Sequence, residues 1–233
     1  TQAGGANNIA LKFNGTFTQG VVDPSVHVDR VHIQGGTTNN NSGAGDNVNI
    51  AYWHHAIHLS QCPAAKISNT LIDGQYVGSS GQDPGTAVGI YITSTSKATE
   101  YHVTNCNIFF CLIGIENVGA AGQEPEGFYV INSGLVANDV GIKGTAVGTA
   151  LGLQVSNCHF ANRIAGITGH FQQSIISNNL IYCRQNSPAN AVMIQLEAAG
   201  SNTPAGNVQG FIISNNHFVN ISNTTNGGGV NVF

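Results

Sequence analysis

His58, Tyr91, Glu116 and Lys143 are the residues of this sequence with the most chemistry to offer, because they share one phase of a repeated piece. Each follows an apolar residue that itself follows a Gly or Ala: Ala56-Ile57-His58, Gly89-Ile90-Tyr91, Gly114-Ile115-Glu116 and Gly141-Ile142-Lys143. Gly166-Ile167-Thr168, Val192-Met193-Ile194 and Gly229-Val230-Asn231 continue the series. If the pieces stack as strands, period-two alternation turns the isoleucines inward and the next residue outward. The expected solvent-facing column is then His58, Tyr91, Glu116, Lys143, Thr168, Met193 and Asn231, with strands about 4.8 Å apart. An exposed ring gives a sugar a stacking face, and an imidazole, a carboxylate and an ammonium beside it complete a plausible sugar-binding strip. The plainer reading of Glu116 and Lys143 is a cross-strand ion pair worth a few tenths of a kcal/mol.

Hydrolysis of a glycosidic bond generally needs two carboxyl groups, roughly 5 to 9.5 Å apart. Eleven acids are present to supply them, and over half fall near Glu116. Glu124 and Glu126 lie in the Gln123-Glu124-Pro125-Glu126 loop that leaves its strand. Asp73 follows the motif beginning at Ile67, Asp83 sits in the insertion beside it, and Glu100 precedes the next motif. Glu116 is therefore the expected catalytic acid, with a partner among Asp73, Asp83, Glu124 and Glu126; the plainer reading of each loop acid is a solvated loop residue. Elimination would instead need a base and a cation to neutralise a uronic carboxylate. Lys97, Lys143, Arg163 and Arg184 are scattered, so hydrolysis is preferred. His54, His55 and His58 crowd together next to Trp53, but their spacing brings no obvious third ligand, and Trp53 suggests packing or sugar contact. No metal and no cofactor is expected.

The elements that position these residues are set by a second repeat. Ile213-Ser214-Asn215-Asn216-His217-Phe218 matches stretches beginning at Ile176, Val155, Val130, Val103 and Ile67, with a weaker copy at Val28. Successive copies begin between 21 and 39 residues apart, the short spacings fitting one coil of three short strands and the long ones the same coil with a loop inserted. Val103 to Ile115, Val130 to Ile142 and Val155 to Ile167 are each twelve residues apart, so the two pieces keep one geometry. Both alternate with period two, and no sustained 3.6-residue stripe exists, so the chain is nearly all β. The third motif position is Asn in Asn69, Asn105, Asn132, Asn157, Asn178 and Asn215. Asn tolerates positive φ and can bond its own kind in the next coil, which suits a tight bend repeated on every turn.

Composition narrows the function classes. Only 8% of residues are charged, with 30 Gly and a net charge of −4. The surface is therefore mainly neutral and polar, and the basic footprint of a nucleic-acid binder is missing. No apolar run approaches the roughly 18 residues of a membrane span. Of the five cysteines, Cys106 and Cys158 share the position after the motif Asn, which reads as a small buried side chain rather than a bridge. Free thiols point to folding in a reducing cytoplasm. His32, His159 and His217 share one repeat position, so the repeat accounts for them. The Asn-, Ser- and Gly-rich stretches Thr37 to Asp46 and Asn220 to Gly229 read as exposed loops.

On these motifs the sequence resembles the right-handed parallel β-helix superfamily, the pectin-lyase-like fold, over essentially its whole length. In that family the motif marks the second strand, the short bend and the third strand of each coil, and the Gly-Ile-x piece marks the first. The resemblance implies about seven coils spanning residues 26–233, with an Asn ladder at the short bend, after an irregular first turn in residues 1–25. Arg30 in place of the Asn suggests that the ladder starts at the second coil. In the resembled family the face of the first strands commonly carries a carbohydrate groove. The chain stops within a coil with no visible cap, which suggests part of a longer chain or ends covered by sister chains. Together with the free thiols and uncharged surface this is similar to the shaft of a bacteriophage tailspike. That likeness implies a virion tail protein made in the host cytoplasm, a parallel homotrimer, and binding or cutting of bacterial surface polysaccharide, either capsule or lipopolysaccharide O-antigen. A non-catalytic glycan-binding or structural spike segment and a secreted pectate-lyase-like enzyme are the alternatives.

Overall fold

The computed structural model describes residues 8–15, 26–35, 53–77, 83–94, 99–119, 126–145, 150–184, 187, 191–196, 210–220 and 229–232. Every described element is a strand. Three sheets carry the fold, one of eight strands and two of seven, and all their pairings are parallel. The first sheet stacks Ile9–Asn14, His55–Ser60, Thr86–Ser94, Cys111–Gly119, Val140–Gly144, Ala165–Gly169, Val192–Leu196 and Gly229–Val232. The second runs from His27–Asp29 to Ile212–Ser214, and the third from His32–Gln34 to His217–Asn220. Strands that follow one another in sequence fall in different sheets, and the chain returns to each sheet one coil later. Parallel neighbours separated by a full circuit of the other two sheets are the architecture of a parallel β-helix.

The two sequence pieces fall where alternation puts them. In Val103 to Ile108, strand ends at Thr104, the bend takes Asn105 and Cys106, and strand resumes at Asn107. Val103 and Ile108 are both buried, so a two-residue bend swings the chain from one sheet to the next without breaking the core. Ile57, Ile90, Ile115, Ile142 and Ile167 stack in register down the first sheet, each 0% exposed. Ile194 extends that column, which corrects the sequence alignment at one coil: Met193 is buried, and Gln195 is the residue opposite Thr168. A Met at an outward position would have been left in water, and the core takes it instead.

The glycine of the Gly-Ile-x piece has a steric cause. A Cβ at Gly89, Gly114 or Gly141 would stand 2.6, 2.7 and 2.5 Å from the carbonyl oxygen of Gly114, Gly141 and Gly166 respectively. Only a residue without Cβ lets successive backbones stack this closely.

The third-position Asn residues all adopt positive φ, between 51° and 58°, and are exposed. Arg30 takes the same conformation at φ 54°, so the first bend has the shape of the others without the Asn. Asn69 Nδ2 donates to Asp29 Oδ1 at 2.8 Å, and Asn105 Nδ2 to Asn69 Oδ1 at 3.4 Å. The buried polar groups of the bend belong to the fourth position. Cys106 N–H donates to Ser133 Oγ at 3.1 Å, Cys158 N–H to Asn179 Oδ1 at 2.8 Å and Asn179 N–H to Asn216 Oδ1 at 3.0 Å. Each satisfies a backbone donor that the turn leaves unpaired inside the fold.

Two further points bear on the sequence reading. Leu11 and Phe13 lie in a regular strand paired with His55–Ser60, not in an irregular turn. All five cysteines are free and buried, and burial raises the thiol pKa of Cys106 and pushes Cys158 up to about 11.

Candidate functional site

The first sheet brings four of the expected residues into one column. His58 pairs with Tyr91, Tyr91 with Glu116, and Glu116 with Lys143, each on the next strand. Lys12 lies opposite His58 at the other side, and Thr168 follows Lys143. Strand alternation is the whole cause: each follows an inward residue, Leu11 before Lys12 and an isoleucine before the others.

The column is less exposed than alternation alone implies. Glu116 is 9% exposed, which corrects the expectation that it faces solvent, whereas Lys143 is partly open. Glu116 Oε1 accepts a hydrogen bond from Thr145 Oγ1 at 2.7 Å and lies 3.6 Å from Lys143 Nζ. A buried carboxylate is stable only when paired in this way. Thr145 was not legible as a partner, although its place two residues after Lys143 puts it on the same side of the strand.

Tyr91 is held in an aromatic cluster. Its ring stacks on His55 with centroids 4.0 Å apart and planes 15° apart, and meets His58 edge-on at 5.1 Å. His55 in turn touches His54 at 4.3 Å and His58 at 5.2 Å. One face of Tyr91 is therefore occupied, which restricts any sugar stacking to the other. Burial, and then the Glu116 carboxylate, raises the Tyr91 pKa. Burial lowers His58 and, joined by His54, His58 and Lys12, pushes His55 down to about 3, so His55 is a neutral imidazole. His58 Nε2 lies 3.2 Å from Thr93 Oγ1. The Nδ1 atoms of His54, His55 and His58 are buried without a hydrogen-bond partner among the described residues. The sequence places His55 beside His54 and His58 but gives no sign that its ring stacks on Tyr91, because that contact depends on the pairing of two strands far apart in the chain.

Trp53 packs on the core and donates from Nε1 to the Gln34 carbonyl at 3.0 Å, which ties it to the fold. Asp73 is not a partner for Glu116. It ends a third-sheet strand, and its carboxylate accepts the Gln75 backbone N–H at 3.1 Å and the Gln75 side-chain amide at 2.8 Å. The adjoining Gly74 carbonyl accepts from Thr86 Oγ1, and Thr86 pairs with Cys111, five residues and about 16 Å of strand from Glu116. Glu126 opens a strand of the second sheet opposite Thr99, a different sheet from that of Glu116. Asp83 has its backbone in a short antiparallel pairing with Val77; its side chain, and the whole of Glu124, lie outside the described residues. No group of three or more His, Cys, Asp or Glu among the described residues is arranged to hold a metal ion. Asp139 is engaged elsewhere, at the corner of the third and first sheets, where Arg163 donates to both of its oxygens at 2.7 and 2.6 Å.

No protein-family model matches this chain, and a search of the curated proteins finds no match either.

Proposed function

We propose that this chain is a segment of a bacteriophage tailspike or similar receptor-binding spike, a right-handed parallel β-helix of about seven coils that recognises bacterial surface polysaccharide. The observation that carries the reading is the unbroken column His58, Tyr91, Glu116 and Lys143 on consecutive strands of the first sheet. A ring, a carboxylate and an ammonium at about 4.8 Å intervals offer a sugar chain one apolar contact and two charged hydrogen-bonding groups. A chain with so few charges places two of them here. The spike assembles as a homotrimer on the virion tail after folding in the host cytoplasm, in keeping with its five free, buried thiols.

On this reading Glu116 is the first carboxyl group of a glycoside hydrolase, partnered by Glu124, Asp83 or Glu126. Incubation with capsule or lipopolysaccharide from candidate hosts, followed by size-exclusion analysis of the glycan, tests it. Shortened chains are expected, with cleavage abolished in Glu116→Gln; unchanged cleavage by that variant removes Glu116 from the mechanism. The second reading, glycan binding without cleavage, is favoured by the engagement of Glu116 with Lys143 and Thr145. Binding with no change in chain length would select it.

A further inference from the structure

We propose that the outer face of the third sheet carries a second glycan site, a groove for an uncharged stretch of polysaccharide, apart from the Tyr91–Lys143 column. The proposal rests on the glycan reading above and adds a place and a ligand charge to it.

The groove is a shallow depression of about 470 Å³, open to solvent, along the bend between the second and third sheets. Its lining includes the third-position amides Asn132, Asn157 and Asn178 and the apolar side chains of Phe109, Val136 and Leu180. Gly134 makes the notch. It lies between Asn107 and His159 in register, and where its neighbours carry side chains it carries none.

Three observations identify the ligand. First, no carboxylate, lysine or arginine lines the hollow, so nothing there selects a charged partner. Second, the side chains of Asn132, Asn157 and Asn178 are exposed and have no hydrogen-bond partner among the described residues, unlike Asn69 and Asn105. A free primary amide offers donors and acceptors together, which matches vicinal hydroxyls. Third, the three amides recur at one phase of the coil, about 4.8 Å apart. A wall that repeats by translation fits a polymer that does the same. Phe109 supplies an apolar surface for the face of a sugar ring.

The test is an array of purified bacterial capsule and O-antigen polysaccharides of known charge, probed with the intact chain and three variants. Gly134→Leu fills the notch. Asn157→Gly with Asn178→Gly deletes two amides while keeping a residue that accepts positive φ, so this variant remains informative if Gly134→Leu fails to fold. Tyr91→Ala disables the first-sheet column. The expected result is binding to at least one neutral polysaccharide, weakened about tenfold or more by Gly134→Leu and by the double glycine variant, and surviving in part in Tyr91→Ala. Binding that both groove variants leave intact overturns the groove and leaves the glycan reading standing. Binding confined to charged polysaccharides also overturns the groove alone. No binding to any polysaccharide overturns both. If Gly134→Leu changes the sedimentation of the assembly and leaves glycan binding unaltered, the groove is a contact between copies of the chain and the proposal fails.

Discussion

Glu116 and Lys143 face each other on adjacent strands, with Oε1 and Nζ 3.6 Å apart, and the carboxylate is the more buried of the two. The asymmetry decides which change hurts. Lys143→Met leaves Glu116 buried with Thr145 as its remaining described partner, and should destabilise the fold by about 1–3 kcal/mol. Glu116→Gln keeps the shape and removes the charge, and should cost less. Urea titrations of the two variants check the order; equal losses would mean that the pair is solvent-screened.

The Asp139–Arg163 pair should matter more for stability. Both oxygens of a largely buried carboxylate are held by one guanidinium at 2.7 and 2.6 Å, and the Asp139 carbonyl also accepts from Ile164 and Ala165. Asp139→Asn should cost about 3 kcal/mol by removing the charge from a bidentate, largely buried pair with Arg163, read as a lower urea midpoint at unchanged slope.

Acid should destabilise the chain through the histidine cluster. His55 is held neutral with its pKa near 3, below the ordinary 6.5. The unfolded chain therefore takes up a proton that the folded chain refuses. Stability is full above about pH 6.5 and falls as pH drops toward 3, and His58 acts in the same direction. Between pH 7.5 and 5.0 the melting temperature should fall by about 3 °C more in the native chain than in His55→Phe, which keeps a ring against Tyr91. Parallel pH profiles would contradict this.

Gly141→Ala should be among the most damaging small substitutions. Its Cβ would meet the Gly166 carbonyl at 2.5 Å and Phe160 Cδ1 at 2.8 Å. Neither a stacked backbone nor a 0% exposed ring can retreat cheaply, so a loss of about 2–4 kcal/mol is expected. Gly134→Ala on the outer face meets only the Asn107 side-chain amide within 4 Å, and chemical denaturation should find it nearly neutral.

Most of the fold was legible because it is written several times over. Ile90, Ile115, Ile142 and Ile167 recur at one phase, and each copy confirms the others where a single apolar pair would not. Met193 was misplaced for the corresponding reason: its coil lacks the Gly-Ile signal, and the inward column passes through Ile194 instead. Long-range geometry was less legible. Residue spacing put Asp73 near Glu116, but the corner between sheets leaves it near the Thr86–Cys111 pair, five strand residues from Glu116. Burial of Glu116 also depends on neighbours that strand alternation does not reveal. The Asn column was seen as scaffold; that three of its amides have no partner among the described residues beside the Gly134 notch follows only from the register of three coils.

The most direct test of glycan recognition by the first sheet is a crystal structure of the chain with an oligosaccharide from a polysaccharide it binds. The account predicts sugar density lying across the strands of Tyr91, Glu116 and Lys143, with a hydroxyl within hydrogen-bonding distance of Lys143 Nζ or the Glu116 carboxylate. A bound oligosaccharide that leaves this column bare would contradict it.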